Sequence, residues 1–136
     1  MTLSKIFVEQ RIVCPDDLDE MNHVNNLQYL RWTLKIASSH SRHVGWSAER
    51  YRQLGAAWVV RSHNIVYKIP ALLHDRIEIR TWIHDLEKVS SLRRYEIRRL
   101  SDGRMCATSD TRWVFINLAT SKLTEIPQEV RDAFLS

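Results

Sequence analysis

Residues 16–26 read DDLDEMNHVNN and lead straight into the apolar run LQYLRWTLKIA at 27–37. Four carboxylates, one histidine and three asparagines therefore stand immediately ahead of a buried element. Asp and Asn before an apolar periodic stretch mark a helix start, because their side chains accept the N–H groups that a first helical turn leaves without partners. From Asn25 to about Arg42 the polar positions Gln28, Arg31, Lys35, Ser38 and Arg42 recur at helical spacing, while Leu27, Leu30, Leu34, Ile36 and Ala37 fill the other faces. Only a narrow stripe is left for water. Such a helix has to be wrapped, and the fold depends on what wraps it.

Working outward, KIFVEQRIV at 5–13 is rich in β-branched and aromatic residues and predicts a first strand, ended by Pro15. SAERYRQLG at 47–55 predicts a second, shorter helix. Four segments follow: AWVVRSHNIVYKI (57–69), DRIEIRTWIHDL (75–86), SSLRRYEIRRL (90–100) and MCATSDTRWVFINL (105–118). Ile77, Ile79, Thr81 and Ile83 alternate with Arg76, Glu78, Arg80 and Trp82, the period of two of a strand with one buried face. SDGR at 101–104 places Asp-Gly between two such runs and predicts a hairpin turn. The expected architecture is α+β: one long helix wrapped by a curved antiparallel sheet.

Composition sets the bounds. The 136 residues are expected to form one domain spanning 1–136, long enough to bury a core without disulfide staples. Cys14 and Cys106 have no metal-ligand spacing and give no disulfide framework, which suits a reducing compartment. MTLSKIFVEQ lacks the apolar core of a signal peptide, and no window approaches a membrane-spanning length, so a cytoplasmic location is the expectation. Twenty Lys+Arg against sixteen Asp+Glu leave a formal charge of +4, an excess that suits an anionic partner or solubility alone.

The residues also carry a resemblance. DLDEMNHVNNLQYLRW at 17–32 resembles the D-x-D-x-x-x-H-V-N-N-x-x-Y signature of hotdog-fold thioesterases, the group that includes 4-hydroxybenzoyl-CoA thioesterase and the plant acyl-ACP thioesterases. VYKIPALLHDRIEIRT (66–81) and TRWVFINLATSKLTEIPQEV (111–130) are similar to later strands of that family, so the resemblance runs from about residue 8 to 134. It implies a hotdog fold that assembles as a homodimer or a dimer of dimers, with active sites at the subunit interface. An open edge on a long sheet calls independently for a partner.

The implied chemistry is hydrolysis of an acyl-CoA thioester, or of an acyl-ACP thioester, without cofactor or metal. In the family pattern the catalytic carboxylate lies seven positions before the oxyanion-binding amide, which here are Asp19 and the backbone N–H of Asn26. A helix N-terminus supplies such an amide without any special side chain. Asp17 is expected to hold the loop and Asn25 to cap the helix. His23 matches a histidine of the plant enzymes' catalytic network and is a candidate for positioning water or for tying the loop. Met21 and Val66 stand where the resemblance would place that network's asparagine and glutamate. Tyr29 is a candidate pocket residue.

In RRYEIRR, Arg93 and Arg94 are candidates for holding the phosphates of CoA or an acidic carrier protein, with an exposed strand face as the other reading. The thin interleaving of aromatics there, Tyr95 alone, speaks against single-stranded nucleic acid as a partner. His40 and His43 are expected on a solvated helix end, with no third ligand nearby to complete a metal site. Trp32, Trp58, Trp82 and Trp113 are expected in the core or an interface. The alternative from another class is a hotdog protein that binds an acyl ligand without turning it over.

Overall fold

The computed structural model describes residues 3–136. The long helix, α1, runs Asn26–His43 and buries Tyr29, Trp32, Thr33, Ile36, Ala37 and His40. Those positions repeat every three or four residues, so one face of the helix is sealed over its whole length. Leu27, expected among the apolar faces, is instead 59% exposed at the first turn.

The strands are β1 Phe7–Ile12, β2 Ala56–Tyr67, β3 Arg76–Leu86, β4 Ser90–Arg99 and β5 Met105–Asn117. They form one antiparallel sheet in the order β1-β3-β4-β5-β2. The alternation expected of β3 holds, with Ile77, Ile79, Thr81 and Ile83 all buried under α1. Registers shift between Val60 and Ser62, between Ile83 and Asp85, and between Ile97 and Arg98. Bulges of this kind increase local twist, which lets the sheet curl around the helix. The SDGR turn closes β4 onto β5: Gly103 takes φ +70°, and the Asp102 carboxylate accepts from Arg104 N–H at 3.1 Å and pairs with Arg99 at 2.6 Å.

The core falls into two hydrophobic clusters. The first gathers Tyr29, Trp32 and Ile36 with Ile77, Ile79, Tyr95 and Ile97. The second joins Trp46, α2 (Ala48–Leu54) through Tyr51, Ile83 and Phe115 to a C-terminal helix, α3, Gln128–Leu135. The sequence pattern predicts no element after Pro127, and the structure adds α3 there. Val130 and Phe134, four apart, make a helical contact stripe there, each worth roughly 1.5–3 kcal/mol when fully buried.

The sheet has two edges, β1 and β2. β2 is the longer, and it leaves Val59, Val60, Val66 and Tyr67 between 41% and 47% exposed. A long edge with exposed β-branched residues is a surface that ordinary proteins cover or pair.

Candidate active site

The first group of residues is assembled by a turn. Leu18 and Val24 pair as an antiparallel bridge, and Asp19 N–H donates to His23 O at 2.8 Å, so residues 19–23 form a tight loop. Asn22 takes φ 59°, a left-handed conformation that asparagine tolerates better than most residues. Inside the loop Asp19 Oδ1 accepts from Met21 N–H at 2.9 Å and from His23 N–H at 3.3 Å. Its other oxygen, Oδ2, meets no donor among the described residues. One carboxylate oxygen therefore fixes the side chain, and the second remains available.

Asp17 holds this loop to the helix. Its buried carboxylate accepts from Cys14 N–H at 2.9 Å, from Cys14 Sγ at 3.2 Å and from Gln28 Nε2 at 2.7 Å. Its backbone oxygen takes Asn25 N–H at 2.8 Å. Asn25 is the N-cap of α1, with Oδ1 accepting from Leu27 N–H at 2.9 Å. The N–H of Asn26, the first helical residue, finds no acceptor among the described residues, which leaves a donor at the positive end of the helix. Tyr67, the last residue of β2, donates its hydroxyl to Asn26 O at 3.2 Å, so the end of the edge strand lies against this helix start.

His23 joins the group through its backbone, bridging to Leu72, and its side chain is exposed. Tyr29 departs from expectation. It is 2% exposed, its ring packs edge-on against Trp32 and Tyr67, and its hydroxyl accepts from Ala71 N–H at 3.0 Å. Burial pushes its hydroxyl pKa up. It supports the strand-to-strand loop that touches His23. Met21 and Val66 carry no ionisable group to place beside Asp19, and both are exposed, at 74% and 47%.

The second group corrects the reading of RRYEIRR as one basic surface. Neighbouring residues of a strand point to opposite faces. Arg94 is exposed on the outer face, whereas Arg93 is 5% exposed on the inner face beneath α1. Arg93 Nη1 donates to His40 Nδ1 at 2.9 Å and to Thr81 Oγ1 at 3.1 Å. His40 is likewise no solvated residue: it is 3% exposed, stacked on Phe7 at 5.1 Å and edge-on to Phe134 at 5.3 Å. Burial first, then the charges of Arg93 and His43, bring its pKa down to about 3. It is therefore a neutral imidazole whose Nδ1 accepts the hydrogen bond from Arg93.

Above Arg93 opens a cavity of about 320 Å³, lined among others by Ser38, Tyr51, Ala57, Trp58 and Phe134. The sequence reading missed it. Its signal was the phase of α1: His40 lies in the same stripe as Tyr29, Thr33 and Ile36, which already placed it inward. The cavity and the Asp19 loop are far apart in one chain, since the α1 axis alone separates Asn26 from Ser38 by about 18 Å.

A long helix wrapped by a curved antiparallel sheet in this strand order is the hotdog fold. A 1,4-dihydroxy-2-naphthoyl-CoA thioesterase from Synechocystis superposes with a TM-score of 0.88, covering 96% of both chains at 23% identity. The chain belongs to the acyl-ACP thioesterase family, since the model of the acyl-ACP thioesterase N-terminal domain matches residues 4–134. It is similar to oleoyl-acyl carrier protein thioesterase 2 of Arabidopsis thaliana, 30% identical over 108 residues, or 74% of this chain and 29% of the relative. It is also similar to the long-chain acyl-CoA thioesterase FadM of Escherichia coli, 30% identical over 115 residues, covering 85% of this chain and 86% of FadM. The chain thus spans less than a third of the plant relative and nearly the whole of the bacterial one. Among the described residues no helix is long and apolar enough to cross a membrane.

Proposed function

We propose that this chain hydrolyses acyl-CoA thioesters, with Asp19 as the catalytic carboxylate and the Asn26 N–H as the oxyanion donor. The observation that carries the proposal is the pairing of a fixed carboxylate that keeps one oxygen free with an unoccupied amide at the start of α1. Attack on the thioester carbonyl forms a C–O bond and builds negative charge on the carbonyl oxygen, where a helix-end amide is well suited to stabilise it. Asp19 takes the proton of the attacking water; when the C–S bond breaks, that proton goes to the departing thiolate. The relation to FadM favours CoA over carrier protein as the thiol, because it extends over most of both chains.

The site is completed by a second copy. β2 begins at the cavity, with Ala57 and Trp58 in its wall, and ends at Tyr67 against Asn26. Antiparallel pairing of two β2 edges sets the start of one strand beside the end of the other. The Asp19 loop of one protomer then meets the cavity of its partner. His23 contributes an exposed imidazole at the same mouth.

Thiol release from a panel of acyl-CoA and acyl-ACP substrates tests the reaction. Mixed oligomers test the assembly: Asp19→Asn and Ser38→Phe, each inactive alone, should regain about a quarter of wild-type activity when refolded together as random dimers. No recovery would place carboxylate and pocket in one chain. Tight acyl binding without thiol release would make the protein an acyl carrier instead of a hydrolase.

A further inference from the structure

The floor of the cavity holds a charge without a counter-charge. Of the five N–H donors of Arg93, the two on Nη1 are taken by His40 and Thr81. Nε and Nη2 have no acceptor among the described residues, and Arg93 lines the cavity. No ion pair among the described residues includes Arg93. His40 is neutral and cannot balance it, and the Phe134 ring, 5.8 Å from the guanidinium carbon, adds only its π-face. Arginine keeps its proton even where burial opposes it.

A buried charge in a closed, well-packed core gains nothing over a hydrophobic residue of the same volume unless something pairs with it. The geometry of the free edge says what would. Nε–H and the near Nη2–H point in parallel, the fork that receives both oxygens of one carboxylate. We infer that the cavity selects acyl groups whose far end carries an acceptor oxygen, a carboxylate foremost, and that Arg93 is the specificity-determining residue. This rests on the reading of the cavity as the acyl site of a thioesterase. A plain alkyl end would leave the guanidinium desolvated and unpaired, so the same residue that attracts an oxygen-bearing end repels a methyl one.

The test compares octanoyl-CoA with the monothioester of octanedioic acid, and benzoyl-CoA with 4-hydroxybenzoyl-CoA, the two pairs separating aliphatic carboxylates from aromatic hydroxyls. Wild type should favour an oxygen-bearing member in kcat/KM by about tenfold or more, the worth of one hydrogen bond to a charged group. Arg93→Met should bring that ratio to one or below, with Arg93→Lys intermediate. Wild-type preference for the oxygen-free member of both pairs, or no preference in either, overturns the inference without any variant. If no thioester is hydrolysed, it is the thioesterase reading that fails. The cavity is then judged by thermal shift with the free acids: stabilisation of wild type, but not of Arg93→Met, by octanedioate over octanoate supports the inference, and equal shifts overturn it.

Discussion

The two ends of α1 carry chemistry in opposite ways. At its N-terminus the groups are held by bonds between residues two to eleven positions apart: Met21 and His23 to Asp19, Leu27 to Asn25, Gln28 to Asp17. At its C-terminal half His40 meets Arg93, 53 positions away, and packs on Phe7 and Phe134 from the two ends of the chain. The first end is a turn that displays a carboxylate to solvent; the second is a buried polar group inside the core. Chemistry placed on a turn can be lost without losing the fold, whereas chemistry placed in the core is part of what holds it.

The largest expected effect breaks the comparison at the exposed end. Asp19→Asn keeps the shape and an oxygen able to accept from Met21 and His23, but it removes the charge and most of the basicity. Turnover should fall about a thousandfold, within the range general-base groups contribute, while the melting temperature stays near wild type. Well-folded Asp19→Asn with wild-type kcat would strip Asp19 of its role and return it to turn formation.

That contrast also explains what was legible in the sequence. The DDLDEMNHVNN loop, the N-cap at Asn25 and the start of α1 are local, so residue types and spacing were enough to place them. β3 was legible for the same reason: Ile77, Ile79, Thr81 and Ile83 mark its inner face. Arg93 was misread because a run of four arginines around a tyrosine and a glutamate looks like a solvated strand. Only the pairing of Arg93 with Thr111 and Ile83 across the sheet reveals that its side chain faces the helix. His40 was misread similarly, by its distance from the apolar residues in sequence and not by its phase on the helix. The cavity beside α1, α2 and β2 has only that inward phase of α1 as a local signal, since its other walls come from segments spread over the chain.

Asp17→Asn sharpens the difference between two neighbouring carboxylates. Asp17 accepts from three donors on Cys14 and Gln28, and the amide would turn a donor towards Gln28 Nε2 or Cys14 N–H. Stability should drop by about 1–3 kcal/mol in chemical denaturation, with kcat/KM per folded molecule reduced far less than in Asp19→Asn. A turnover loss matching that of Asp19→Asn at unchanged stability would show that the two carboxylates work as a pair.

The buried end should show itself in the pH dependence of stability. His40 has its pKa brought down to about 3 in the fold, from an ordinary value of 6.5. Below pH 6.5 the unfolded chain takes a proton there that the folded chain refuses. Its contribution is therefore fully present above pH 6.5 and is lost as the pH falls towards 3, with a slope of at most about 1.4 kcal/mol per pH unit. Burial lowers the pKa of His63 too, so that residue adds a slope of the same sign. Denaturation between pH 7 and pH 5 should thus be flatter in His40→Gln than in wild type, with His63→Gln as the parallel control. An unchanged slope in His40→Gln would mean that the imidazole is charged in the fold and that Arg93 faces a second cation.

The smallest effect is expected at Arg94, which tests whether a third region has to be added to the two ends of α1. It is exposed on the outer face of the sheet, where neighbouring arginines already have carboxylate partners: Arg80 with Glu78 at 2.6 Å, Arg98 with Glu96 at 3.2 Å, Arg112 with Asp85 at 3.0 Å. That face is therefore a mixed-charge surface and not a basic patch. With a Debye length of about 8 Å at physiological salt, one exposed charge adds little to the capture of an anionic substrate. Arg94→Ala should raise KM by less than about twofold and leave kcat unchanged, because a contact of equal strength in ground and transition states alters binding alone. A rise of fivefold or more, removed by high salt, would put the phosphates of CoA on the outer face. The thioester would then have to reach Asp19 across the sheet edge, and the proposed pairing of β2 edges would have to leave that route open.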